Sequence, residues 1–261
     1  MKLRVISSNI RFANQSDGAH DWPVRKPILA NIINQFAPDL LGTQEGKQLQ
    51  IQELAASLSP LILVDQHRKW ITERMYPSIF INPATVELLD SGDIWLSSTP
   101  AVAGSISFNS AFPRLCTWVK ARLIPINQNI LYINVHLDHH YEDTRIEQIR
   151  VLLEETQKIN RELNPIILSG DFNDPPHKKV WQTVTGKNSK LLDPWHYLNN
   201  PEESSHHQFK GVNPNGSRID WIMVDPIFNP ISIELDKSCS TKGIYPSDHF
   251  PLKAIFGPLT N

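Results

Sequence analysis

Cysteine is almost missing from this chain: Cys116 and Cys239 are the only two in 261 residues. That excludes a disulfide framework and fits a reducing compartment. No apolar run approaches the roughly 18 residues that a bilayer span needs. The opening stretch "MKLRVISSNIRF" is too short in its apolar part, and too interrupted by Arg4 and the serines, to serve as a signal-peptide core. Excess positive charge is also missing, since 25 basic against 27 acidic side chains leave a formal charge of −2. A protein that grips long nucleic acid through phosphates alone would carry an overall positive field, so that class is not indicated. Low-complexity tracts, heptads and a composition shift that would mark a linker are absent too. These absences lead us to expect a cytoplasmic protein, or a mature chain stripped of its leader, with no membrane span, read as a monomer with one domain over residues 1–261.

What is present repeats itself once. "LRVISSN" reads as a strand ending in a polar residue, and "DLLGTQE" as a strand ending in an acid. Between them Asp21 to Phe36 reads as a helix, with Asp21 as cap, Pro23 in the first turn, and Ile28, Leu29, Ile32, Ile33 and Phe36 at helical spacing. Later, "ILYINVHLD" and "PIILSGD" repeat the pattern around a second helix, where Thr144 and Glu147 suit a capping box and Ile146, Ile149, Leu152, Leu153 and Ile159 form the apolar stripe. Two strand-helix-strand units with their polar ends in matching positions predict an α/β fold of two packed sheets with helices outside. Between them, "SIFINPATVELLDSGDIWLSS" reads as strands broken at Asn82-Pro83 and at Ser91-Gly92, and "RLCTWVKARLI" alternates as a strand. Twenty prolines imply long connections over this scaffold.

The strand ends carry the chemistry. In "PIILSGDFNDPP" an apolar run stops abruptly at Asp171 and Asp174, although an unpaired buried carboxylate is costly. In "YINVHLDHH" the two-residue period places Tyr132, Asn134, His136 and Asp138 on one face, with Ile133, Val135 and Leu137 on the other. Asp220 in "SRIDWIMV" sits among apolar strand residues and needs a cation or a histidine. Asp248 and His249 in "YPSDHFPLKAIF" lie between two prolines that restrict their loop.

Taken in order, Asn9 in "SSNIR", Glu45 in "LGTQE", His136 in "NVHLD", Asp171 and Asn173 in "GDFN", Asp220 in "RIDWI" and Asp248-His249 in "SDH" resemble the motifs of the endonuclease/exonuclease/phosphatase superfamily. That group includes DNase I, AP endonucleases, nocturnin-like deadenylases, inositol polyphosphate 5-phosphatases and bacterial sphingomyelinases. "SGDIWLSSTP" and "TWVKARL" further resemble its bacterial metal-dependent hydrolase branch. The resemblance implies a DNase I-like four-layer α/β/β/α sandwich of two packed mixed sheets with outer helices. It implies Mg²⁺ or Mn²⁺ held by Glu45, with Asn9 nearby and Asp248 assisting, which suits a hard cation that keeps waters. Asp171 would orient or deprotonate the attacking water, Asn173 and His136 would contact the phosphate with Arg114 beside them, and His249 would face the scissile phosphate with its tautomer fixed by Asp220.

Each residue alone has a plainer reading. Asn9 is a strand-end turn residue, Glu45 a solvated loop acid, His136 a satisfied core histidine, and Asp174 before Pro175 a turn former. His139, His140, His206 and His207 read as surface or rim residues without chemistry. The seven tryptophans read as packing, although Trp22, Trp70 and Trp95 lie near loops that could line a cleft. "HLDHH" also invites a zinc-hydrolase reading, but Asn134 stands where the first histidine belongs. The ordered set favours a divalent-metal-dependent phosphohydrolase acting on a small phosphoester or nucleotide-type substrate. A Mg²⁺-dependent nuclease is the alternative, and a silent phosphate-binding module the minor one. Residues 66–76 and 197–215 are the expected specificity loops.

Overall fold

The computed structural model describes residues 2–257 apart from 188 and 190. Six strands form one mixed sheet: β1 (Leu3–Asn9), β2 (Leu40–Gly46), β3 (Ile62–Val64), β4 (Tyr76–Ile81), β10 (Pro230–Leu235) and β11 (Leu252–Phe256), in the order β10-β11-β1-β2-β4-β3. Five form the other: β5 (Val86–Trp95), β6 (Leu115–Leu123), β7 (Gln128–His136), β8 (Ile166–Asp171) and β9 (Asp220–Val224), in chain order. In each sheet one parallel pair, β1–β2 and β7–β8, is flanked by antiparallel neighbours.

The two-residue strand period explains how the layers separate. Val5, Leu40, Ile79, Val119, Tyr132 and Ile167 point into the space between the sheets. Their chain neighbours Ile6, Leu41 and Phe80 turn outward onto Leu29 and Ile33 of α1 (Trp22–Phe36), with Ile51 and Leu54 of α2 (Gln48–Ala55) in the same cluster. Ile133 and Leu168 turn outward onto Ile149 and Leu152 of α3 (Glu142–Ile159). The result is the expected α/β/β/α sandwich. Two shorter helices, α4 (Lys179–Thr185) and α5 (Pro194–Tyr197), follow β8. Among the described residues no helix is long and apolar enough to cross a membrane.

Three local expectations need correction. The break expected at Ser91-Gly92 does not occur: β5 runs through it, and the irregularity lies earlier, where the register with β6 shifts between Leu88 and Asp90. A bulge absorbs the extra residue without ending the strand. The capping box at Thr144 and Glu147 is not used, because α3 begins at Glu142 with Tyr141 as its cap residue. Thr144 instead donates its hydroxyl to Phe108 O at 2.5 Å. Asp174 is no surface turn former but fully buried, with Arg145 of α3 donating to it at 2.8 and 3.1 Å.

Polar groups stitch the sheets together just beneath their strand ends. Asn134 of β7 donates to Thr43 O and Ser78 O, both at 2.9 Å, and accepts from Gln44 of β2 at 2.7 Å. Its amide is fully engaged in this cross-link, as buried amides require. Gly170 pairs with Val135 at a φ of +150°, and a Cβ there would stand 2.0 Å from Val135 O. Only glycine lets β8 lie this close to β7 one residue before Asp171.

Candidate active site

The parallel pairs put polar strand ends side by side. Asn9 of β1 is level with Gln44, next to Glu45, and His136 of β7 is level with Asp171 of β8. Antiparallel β9 begins at Asp220, opposite Asp171. Because the sheets pack face to face, these ends converge. The Asn9 amide donates to Glu45 Oε1 at 3.0 Å within its own sheet and to Asp171 Oδ2 at 2.9 Å across to the other. Asn9 Oδ1 accepts from Arg11 N at 3.0 Å, so Asn9 braces both acids. Glu45 takes a positive φ of 68°, and its second oxygen accepts from Phe12 N at 3.2 Å.

The loop before β11 completes the cluster. His249 Nδ1 donates to Asp220 Oδ2 at 2.8 Å, and its Nε2 lies 3.9 Å from Asp171 Oδ2. Burial works against charge on this imidazole, but Asp220, Asp171 and Asp248 outweigh it and hold its pKa well above the usual histidine range. Burial, reinforced by Asp220, pushes the Asp171 carboxyl up to about 7. Asp171 Oδ1 accepts from Asn173 N at 2.9 Å, while the Asn173 side chain donates to Leu137 O at 3.1 Å. Asp248 lies at the rim, with Arg11 Nε and His206 Nε2 each 4.0 Å from its Oδ2.

On the other side, His136 Nε2 is 3.4 Å from Asp171 Oδ2, and Arg114 Nη1 donates to the same ring at 3.0 Å. Burial and the adjacent guanidinium hold His136 neutral, far below its ordinary pKa. Arg114 Nη2 donates to His139 Nδ1 at 3.2 Å. Arg114 is buried, yet among the described residues no carboxylate pairs with it, and its Nε has no hydrogen-bond partner. Among the described residues three sets of groups stand close enough to share a cation: Glu45 with His136 and Asp171, Asp171 with Asp220 and His249, and His206 with Asp248 and His249.

All nine residues singled out in the sequence therefore come together at one cleft or directly behind it. The cleft holds about 520 Å³. None of the three tryptophans lines it: Trp22 and Trp95 are core residues and Trp70 packs edge-on against Tyr76. Phe12 and Phe112 line it instead. His139 and His206 do sit on its rim, but His207 is buried and stacked on Phe250, with ring centroids 3.9 Å apart. Of the expected specificity loops, the first contributes Glu73, Arg74 and Met75 and the second His206.

The sequence reading missed two supporting arginines. Arg25 of α1, fully buried, donates to Ile10 O and Pro246 O at 2.8 Å and so ties the β1 end to the loop carrying Asp248. Arg145 ties Asp174 to Asp138 O. The available signal was position: each sits on the apolar stripe of its helix, Arg25 one turn before Leu29 and Arg145 one turn before Ile149.

Residues 6–249 match the family described as the Endonuclease/Exonuclease/phosphatase family. A mannosyl-6-phosphatase from Bacteroides thetaiotaomicron VPI-5482 is 27% identical, with a TM-score of 0.85 over 98% of this chain and 99% of that one. An endonuclease/exonuclease/phosphatase from Bacteroides vulgatus is 25% identical, with a TM-score of 0.88 over all of both chains. Among sequence relatives, a probable CCR4-Not complex 3'-5'-exoribonuclease subunit Ccr4 from Vairimorpha ceranae (strain BRL01) is 31% identical over 152 residues, which is 49% of this chain. The chain spans only 31% of that subunit's length.

Proposed function

The chain belongs to the Endonuclease/Exonuclease/phosphatase family, and from that premise we propose that it is a divalent-metal-dependent phosphohydrolase that cleaves a small phosphoester or nucleotide-type substrate by in-line attack of water. The observation that carries the reading is a buried, carboxylate-free guanidinium beside an acid-rich cluster in one cleft. Among the described residues Arg114 is a buried cation without a carboxylate partner, while Glu45, Asp171 and Asp248 line the same cleft, with Asp220 behind them. Buried charges demand partners. A phosphoester answers the first and a cation the second.

The donor set fits a hard cation, because Glu45 and Asp248 offer carboxylate oxygens at the cleft and no cysteine lines it. Glu45 with Asp248, steadied by Asn9, would hold Mg²⁺ or Mn²⁺, which neutralises phosphoryl charge and stabilises the leaving oxygen. Asp171, braced by Asn9, His136 and Asn173 N, orients the water and is placed to take its proton. His249, kept charged by Asp220, directs its remaining N–H toward the phosphoryl oxygens. Arg114 binds the phosphate and the second amide N–H of Asn173 supplies a further donor, while neutral His136, accepting from Arg114 and turned toward Asp171, positions both.

The test is hydrolysis by chelator-treated protein across phosphomonoesters, phosphodiesters, nucleotides and short single and double strands. Mg²⁺, Mn²⁺ or Zn²⁺ is added back, and Asp171→Ala serves as control. Turnover that requires Mg²⁺ or Mn²⁺ and disappears in the control supports the reading. Turnover with Zn²⁺ alone, or equal turnover by the control, overturns it. The similarity to the exoribonuclease subunit favours a nuclease as the second reading, which activity confined to the strands would select.

A further inference from the structure

An exposed phenylalanine is unusual beside a buried ionic cluster. Phe112 lines the cleft and keeps 44% of its surface exposed. One side of its ring lies against the His139 imidazole, nearly parallel at 16° with centroids 5.8 Å apart. His139 is fixed in turn by the hydrogen bond from Arg114 Nη2. The ring is thus backed by a group tied to the guanidinium assigned to the phosphate. The Arg114 guanidinium itself lies 5.8 Å from the Phe112 centroid, whereas Phe12, the other phenylalanine of the cleft, has two cations on it, the Arg11 guanidinium at 4.3 Å and the Lys47 ammonium at 5.9 Å.

The surroundings of Phe112 narrow what it can hold. Pro113 and Leu115 follow it in the cleft wall, and Pro77, whose carbonyl accepts from Thr117 of β6 at 2.7 Å, joins them with Met75. This wall is mainly apolar; Arg74 and Glu73 adjoin it, but the Glu73 carboxylate is already engaged by Lys47. A flat aromatic plane suits it better than the hydroxyls of a hexose, since stacking needs a face and no matching edge.

We propose that Phe112, backed by His139, is the platform on which a nucleobase of the substrate stacks while Arg114 holds the neighbouring phosphate. The substrate class is then a nucleoside phosphate or the terminal nucleotide of a short strand. This rests on the phosphohydrolase reading above and goes beyond it by naming the group attached to the phosphate.

Calorimetric titration of the Mg²⁺-loaded protein with AMP, ribose 5-phosphate, mannose 6-phosphate and inorganic phosphate tests it, using the wild type, Phe112→Ala and Phe112→Tyr. AMP is expected to bind at least about tenfold more tightly than ribose 5-phosphate to the wild type, within the range of one base–aromatic stack. The preference disappears in Phe112→Ala and survives in Phe112→Tyr, while phosphate affinity stays the same in all three. Equal affinity for AMP and ribose 5-phosphate, a preference for mannose 6-phosphate, or a preference that survives Phe112→Ala would overturn the platform alone. A wild type that bound none of the four would overturn the phosphohydrolase reading and the platform with it.

Discussion

Asp171 and Asp220 face each other across the β8–β9 pair, both buried, with a single imidazole between them. Such a pair carries a cost to the fold, which the proposed reaction would account for. Removing Asp171 should relieve that repulsion, so Asp171→Ala is expected to lose on the order of 10²-fold or more in kcat with a thermal transition unchanged or raised. His249→Ala should lose a comparable factor, read from the same assays. A variant of either residue turning over at the normal rate would remove it from the reaction. Glu45→Ala is expected to raise the Mg²⁺ concentration needed for half-maximal rate, and an unchanged metal titration would exclude Glu45 as a ligand. At this scale the residue identities were legible in the sequence, because polar groups at the ends of apolar strands have few structural excuses. Their partners were not. That Asn9 braces two acids from two sheets, or that Asp174 pairs with Arg145, depends on contacts between residues 162 and 29 positions apart.

Among the elements, β4, β5 and β6 are held by one buried ion pair behind the cleft. Arg68 donates to both oxygens of Asp93 at 2.7 and 2.8 Å, to Ser78 Oγ at 3.1 Å and to Thr117 Oγ1 at 2.6 Å. Burial would raise the Asp93 pKa, but Arg68 and then His67 outweigh it and hold the carboxyl at about 2, against 3.8 unperturbed. A depressed acid stabilises the fold fully above its unfolded value and loses that contribution as pH falls through the folded one. Asp93 should therefore contribute its full share above about pH 4 and lose it progressively toward pH 2. Asp93→Asn is expected to cost about 3–5 kcal/mol at neutral pH, the usual penalty for orphaning one half of a buried pair. Comparing urea unfolding of both proteins from pH 7 down to pH 2 checks this, with the difference shrinking as the acid is titrated. A constant difference would refute the assignment. Strand and helix types were readable here from periodicity, whereas the β5 bulge and the true start of α3 were not. A one-residue register shift and a side chain diverted to Phe108 are decided by neighbours distant in sequence.

For the molecule as a whole, the four-layer arrangement was legible because two strand-helix-strand units of equal length announced two sheets. The position of β10 and β11 was not, since nothing local tells a late strand to return beside β1. Charge at this scale bears on substrate size. With a net charge of −2 and few phosphate-binding groups in the cleft, kcat/KM should fall less than about tenfold between 50 and 200 mM salt. A chain tracked through six to ten phosphates would lose about 10³ to 10⁵ in affinity over that range. A loss of that size would show an extended strand lying on the surface beyond the cleft.

The late return of β11 also bears on when activity can arise during synthesis. Asp248 and His249 directly precede this strand, which is laid between β10 and β1. While the ribosome still holds residues 252–256, β10 has no strand to join it to β1, and the Asp248–His249 loop is held only from its other side, where His207 N donates to Asp248 O and Phe250 N to Ser205 O. On the proposed reading, a chain not yet extended through β11 therefore holds the Asp248–His249 loop from one side only.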